Sequence, residues 1–145
     1  MRSIKPDLIV NAEAYTAVDL AEKEKTLAKS INATAVDVLA RETKRLGSLL
    51  VHYSTDYVFD GTNSLPYTEE DQTNPINVYG QTKLQGEEYI QESGCAHLIF
   101  RTSWVHSPYR SNFIKTMLHL ANTQQLIRVV ENQRGAPTSA RLIAE

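Results

Sequence analysis

Tyr79 and Lys83 stand four positions apart in the run "PINVYGQTKLQGEEYI", residues 75–90. On a helix that spacing puts both side chains on one face, so a phenol and an ammonium can point into the same cleft. Such a pair serves proton transfer to or from a hydroxyl or carbonyl oxygen. A free tyrosine titrates near 10 and is a slow acid–base group at neutral pH. A neighbouring cation stabilises the phenolate, and bringing its pKa to near 7 takes about 4 kcal/mol of differential stabilisation. By itself Tyr-x-x-x-Lys is a weak pattern. The plain alternative is a surface pair contributing roughly a few tenths of a kcal/mol.

Two other segments carry polar groups where an apolar continuation would be expected. In "HYSTDYVFDG", residues 52–61, an apolar run gives way to Ser54, Thr55, Asp56 and Tyr57. In "RTSWV", residues 101–105, another run ends in hydroxyls and Trp104. Open α/β sheets gather ligand groups at the carboxyl ends of their strands. Ser, Thr and Asp also satisfy loop backbone locally, and a Trp can anchor a sheet edge with its N–H on any acceptor. Both readings stand at this point.

The elements that must position these groups alternate in kind. Short β-branched runs fall at residues 7–11, 48–53, 97–101 and 126–130, and read as strands. Amphipathic stretches lie between them: residues 32–46, stopped by Gly47; residues 77–93, stopped by Gly94; and residues 113–121, with Phe113, Ile114, Met117, Leu118 and Ala121 at helical spacing. Continuous apolar strands separated by helices indicate an α/β fold, a doubly wound parallel sheet with helices on both faces.

The chain has 145 residues, one domain's worth, and buries roughly 70% of its unfolded surface on folding. With 41% hydrophobic residues, 22% charged residues and a net charge of -2, it has neither the basic excess of a nucleic-acid binder nor an acidic tail. The longest apolar runs are too short to span a membrane, and Met1-Arg2-Ser3 does not open a signal peptide. Cys95 is the single cysteine, so no internal disulfide and no Cys-based metal site can form, and a reducing cytoplasm is the expected location. His52, His97, His106 and His119 lack ligand-like spacing, which predicts structural roles and no metal.

Taken in order, "VNAEAYTAVDLAE" (10–22), "HYSTDYVFDG", "NVYGQTKLQGE" (77–87), "IFRTSWV" (99–105) and "GAPT" (135–138) resemble the dTDP-4-dehydrorhamnose reductase family, in the extended branch of the short-chain dehydrogenase/reductases. The resemblance runs from Lys5 to about Ala144. It implies hydride transfer from NADPH or NADH to the C4 carbonyl of a dTDP-linked deoxyhexulose, in the making of cell-surface polysaccharide. It further implies that Tyr79 donates the proton, Lys83 lowers its pKa and holds the nicotinamide ribose, and Thr55 bonds the substrate carbonyl. Asp56, Tyr57 and Trp104 would hold the sugar. The segment Ala12, Ala14, Tyr15 and Thr16 would run under the cofactor, together with Tyr79 and Lys83. Gly80 is either small for packing or a neutral helix glycine.

Two departures from the family's pattern bear on the cofactor. The glycines at 47, 61, 80, 86, 94 and 135 nowhere approach G-x-G-x-x-G, the turn whose backbone N–H groups meet a pyrophosphate. Glu13 puts a carboxylate where relatives carry a small residue, and desolvated beside a dinucleotide it would cost several kcal/mol. The resemblance therefore implies a central fragment: a single partial Rossmann-like domain over 1–145, lacking the N-terminal strands, with the substrate-binding region beginning near 133–145. The strand near Leu8 would then be an unpaired edge able to recruit a second chain.

Two other functions share parts of this pattern. The non-catalytic beta subunit of methionine adenosyltransferase has similar stretches, but Thr55, Tyr79 and Lys83 together favour a reductase. A nucleotide-sugar epimerase or dehydratase shares Tyr-x-x-x-Lys, but Asp56 is not followed by the glutamate usual in dehydratases.

Overall fold

The computed structural model describes residues 1–145, which divide into two compact units, Met1–Arg101 and Thr102–Glu145. In the first unit three strands form one sheet in the order β1 (Leu8–Asn11), β2 (Leu49–Thr55), β3 (Ala96–Thr102). β1 and β2 run parallel, with Leu8 opposite Leu49 and Asn11 opposite His52. Parallel neighbours need a long crossover. It is supplied here by α1 (Val18–Ala21), α2 (Lys25–Lys29) and α3 (Ala35–Leu46). Residues Ser30–Thr34 join α2 to α3 as a π-helical turn, so the chain is helical without a break from Lys25 to Leu46.

β2 leads through a short 3-10 turn, Asp56–Val58, and a long loop into α4 (Val78–Ser93). Asn77 caps α4, its side-chain oxygen accepting from the Gly80 N–H at 2.7 Å. Gly47 and Gly94 end α3 and α4 in the left-handed conformation, as their positions predict.

The core of the unit lies between the sheet and α3 and α4: Val36, Ala40, Leu50, Ile90 and Cys95 are buried together, with Ile9 and Ile99 against them. A smaller cluster of Ala21, Ala28 and Val78 receives the rings of Tyr15 and Tyr79. Gly80 and Gly86 are where α4 meets its neighbours. A Cβ on Gly80 would strike the Tyr57 carbonyl oxygen, and one on Gly86 the Asn32 carbonyl oxygen. Both glycines are thus required for close approach, which settles the two readings of Gly80 in favour of packing.

In the second unit β4 (Val105–His106) pairs in parallel with β5 (Thr138–Ser139), and α5 (Phe113–Thr123) is capped by Asn112, which accepts from the Lys115 N–H at 3.1 Å. Residues 126–130 do not form the strand their composition predicts. Leu126, Val129 and Val130 are exposed, and no neighbouring strand is present to satisfy their backbone; β-propensity alone does not make a strand. No helix is long and apolar enough to cross a membrane.

Candidate active site

The carboxyl end of β2 and the first turns of α4 bring Thr55, Asp56, Tyr57, Tyr79 and Lys83 together. Thr55 is buried and caps the 3-10 turn: its hydroxyl oxygen accepts from the Tyr57 N–H at 3.2 Å, and its O–H donates to Asp56 Oδ1 at 3.2 Å. The Tyr79 phenol stands beside the Thr55 side chain, close enough for that group to act on its titration. The ring of Tyr57 meets that of Tyr79 edge to face, with centroids 5.6 Å apart. Burial pushes the Tyr79 phenol above its ordinary range, the nearby Thr55 side chain pulls it partly back, and Asp56 and Tyr57 add to the rise. This is opposite to the lowering the sequence suggests, because the ring sits among apolar groups and Lys83 is directed elsewhere.

Lys83, one turn along α4, is 1% exposed. Its Nζ donates to the Tyr53 carbonyl at 2.7 Å and lies 3.4 Å from His52 Nε2. Burial pulls the ammonium down to about 8, against the opposing pull of Glu87. His52 is fully buried, and desolvation together with the Lys83 charge takes its imidazole down to about 3, so it is neutral. Asn11, at the end of β1, places its Nδ2 3.0 Å from His52 Nδ1.

The segment after β1 is held from beneath by Asn32, on the π-helical turn. Asn32 Oδ1 accepts from the Tyr15 N–H at 2.8 Å, while its Nδ2 donates to the Tyr15 carbonyl and to Thr82 Oγ1, each at 3.1 Å. Thr82 Oγ1 in turn donates to the Tyr79 carbonyl at 2.9 Å. One asparagine thereby ties the Ala12–Thr16 segment to the helix carrying Tyr79. Ala14 and Tyr15 are half-buried, and Ala12, Glu13 and Thr16 are exposed. The Tyr15 hydroxyl donates to Glu24 at 2.7 Å and is pushed up to about 12, by desolvation first and that bond second. At the start of α4, Glu22 accepts from the Val78 N–H at 2.8 Å. Further along α4, buried Glu87 takes a bidentate pair from Arg101, whose guanidinium lies 5.0 Å from the Phe59 ring centroid.

Trp104 belongs to the second unit. It is a non-glycine residue with φ of 44°, 46% exposed, its ring 6.4 Å from Phe113 and against Gly135, where a Cβ would clash with the indole.

Sequence reasoning gave no role to Asn11, Asn32 or Glu22, and for His52 it predicted a structural role without naming its partners. The available signal was a polar residue at an inward strand position: in Leu50-Val-His52-Tyr-Ser54 the alternation puts His52 on the core face beside Leu50. Nothing local marks Asn32, whose partners lie 17 and 50 positions away.

The whole chain, residues 1–145, matches the family described as the RmlD substrate binding domain. It is 52% identical over its full length to a dTDP-4-dehydrorhamnose reductase of Salmonella typhimurium, covering 48% of that protein. It is 55% identical, over 97% of its length, to one of Burkholderia thailandensis, covering 47%. The crystal structure of the Bacillus anthracis dTDP-4-dehydrorhamnose reductase in complex with NADP superimposes with a TM-score of 0.94 at 41% identity, over 98% of this chain and 50% of that one. The chain thus spans about half the length of the relatives it matches. From its Thr55–Tyr79–Lys83 constellation to its end-to-end match, the chain belongs to the RmlD substrate-binding family, that of the dTDP-4-dehydrorhamnose reductases.

Proposed function

We propose that this chain carries the catalytic middle of an NAD(P)H-dependent reductase that converts the C4 keto group of dTDP-4-dehydrorhamnose to the hydroxyl of dTDP-rhamnose. The observation that carries this reading is the meeting of Tyr79 with Thr55 and Tyr57 at the carboxyl end of β2, with Lys83 buried one turn further along the same helix. Two neighbouring hydroxyls that can turn toward one point, Thr55 by leaving Asp56, are what a carbonyl oxygen needs as it becomes anionic. The raised pKa of Tyr79 keeps its proton in place until the alkoxide develops. The proton then passes from the phenol to that oxygen.

NADPH or NADH, when bound, supplies the hydride. Residues of this chain suit the nicotinamide end of such a cofactor: Ala12 and Ala14 are small, Tyr15 has its backbone fixed by Asn32, and Lys83 and Tyr79 stand on the neighbouring helix. No glycine-rich turn for the diphosphate lies among these 145 residues, so that contact is assigned to a longer polypeptide. Asp56, Tyr57 and Trp104 are assigned to the dTDP-sugar, and residues 133–145 to the start of its binding region. The protein works in the cytoplasm, and the isolated chain self-associates along β1, whose Leu8 and Val10 are exposed at the sheet edge.

The test is turnover of dTDP-4-dehydrorhamnose by a polypeptide carrying this chain, with cofactor binding followed by nicotinamide fluorescence. Tyr79→Phe is expected to lower kcat by about 100-fold or more while still binding NADPH. Unchanged turnover in that variant ends the proposal.

A further inference from the structure

Asn11, His52 and Lys83 form a buried line of three polar side chains from the end of β1 to the middle of α4, and the proposed chemistry uses only the last of them. We infer that Asn11 and His52 are positioning residues for Lys83, a tautomeric relay that couples the charge on its Nζ to the hydrogen bonding of the backbone at Glu13. The inference rests on the role given to Lys83 above, but its geometry stands apart from any activity.

The hydrogen-bond pattern defines the two ends of the relay. Asn11 Oδ1 accepts from the Glu13 N–H at 3.3 Å, which leaves Nδ2 to donate to His52 Nδ1 at 3.0 Å. A neutral imidazole has one hydrogen, so with Nδ1 accepting it sits on Nε2, facing Lys83 Nζ at 3.4 Å. That arrangement suits a neutral amine, which donates to the Tyr53 carbonyl at 2.7 Å and accepts from His52. It opposes an ammonium, because an N–H would then point at a cation.

When Lys83 is charged, the satisfied arrangement reverses. His52 Nε2 accepts from Nζ, the single imidazole hydrogen sits on Nδ1, and Asn11 must turn its oxygen toward His52. The Glu13 N–H then faces an amide NH2 and loses its acceptor. The imidazole keeps one proton throughout, and the net change is the one proton gained or lost at Nζ.

The other groups around Lys83 act on its charge without reading the tautomer. From α4 Glu87 favours the ammonium, and its carboxylate is held by Arg101 of β3. Tyr79 lies on the same helix face. From β2 come His52 and the Tyr53 carbonyl. The loop linked in this way is the start of the Ala12–Thr16 segment assigned to the cofactor, so ordering of that segment follows the charge on Lys83.

The experiment is long-range 15N NMR of the histidine rings in the chain, across the Lys83 titration near about 8. His52 is assigned by its absence in His52→Gln, and Lys83 is followed through its Cε. The expected result is that protonation moves from Nδ1 to Nε2 of His52 with the same midpoint as Lys83. In Asn11→Asp, a carboxylate that can only accept should hold the hydrogen on Nδ1 at every pH and raise the Lys83 midpoint by about one unit. A His52 that keeps one tautomer while Lys83 titrates overturns the relay, as does an Asn11→Asp variant that still switches. Loss of turnover is not read here: a switching His52 in a protein that fails to reduce the keto sugar would sink the reductase proposal alone, and a static His52 in an active enzyme would sink the relay alone.

Discussion

The two faces of the β1–β2–β3 sheet come from alternate residues of the same strands, yet they have little else in common. One face presents Ile9, Asn11, Leu50, His52, Ser54, Ile99 and Arg101 to α3 and α4. Every buried polar contact that reaches Lys83 through a side chain lies there. The other face presents Leu8, Val10, Leu98 and Phe100, each about half exposed, with Tyr53 stacked on Phe100 at 6.1 Å. Composition does not separate the two faces, since the second is the more apolar. What separates them is the presence of helices on one side, where water is excluded and the buried polar groups of the sheet, His52 and Arg101 among them, have fixed partners.

The largest test of this contrast is truncation of one leucine on each face. Leu50→Ala should destabilise the chain by about 2–5 kcal/mol, since Leu50 is fully buried in the core. Leu98→Ala, at 49% exposure, should stay within about 0.5 kcal/mol. Chemical denaturation measures both. Equal losses would mean that the open face is covered in solution.

Next in size is the Glu87–Arg101 pair on the helix-covered face. Glu87 is 1% exposed, and Arg101→Met would leave its carboxylate without the guanidinium, at about 3 kcal/mol. Replacing both members, Arg101→Met with Glu87→Leu, should recover most of that loss, because two apolar groups need no partner. The solvent-exposed Arg41–Asp37 pair supplies the contrast: Arg41→Met should change stability by less than about 0.5 kcal/mol. A third test sits where α4 crosses the π-helical turn. Gly86→Ala drives a Cβ into the Asn32 carbonyl, which is backbone and cannot swing aside, and should cost about 1–3 kcal/mol. A neutral Gly86→Ala would show that the turn can relax, and with it the Asn32 grip on Tyr15.

Much of this was legible from the sequence, and the limit is one of distance along the chain. Three of the four runs read as strands are strands, and the three amphipathic stretches are helices closed where Gly47 and Gly94 predict. These depend on periodicity and capping, which act within a turn or two. The Tyr79–Lys83 face was legible for the same reason. Residues 126–130 misled because a strand is completed by its neighbour, and nothing in Leu-Ile-Arg-Val-Val states whether one is there. Asn32 was invisible because its partners come from other elements, and for His52 the strand alternation gave an inward face without its partners. The direction of the Tyr79 shift depends on which way Lys83 points, and spacing gives a shared face without a target.

The smallest effect expected from the covered face is a pH dependence. The Lys83 ammonium titrates near about 8 in the fold and near 10.5 when unfolded. Between those values the unfolded chain holds a proton that the folded chain has released, so stability rises with pH. The gain should reach about 1 kcal/mol by pH 9. Above 10 the trend reverses, because Tyr79 and Tyr15 keep their protons in the fold after the unfolded tyrosines have lost theirs. Lys83→Met should be more stable than the parent at pH 7 and should lose the rise between pH 8 and 10. Denaturation midpoints across that window decide it. A parent protein with no alkaline rise would mean that water reaches Nζ, and that the helices do not seal this face as tightly as the distances around Lys83 imply.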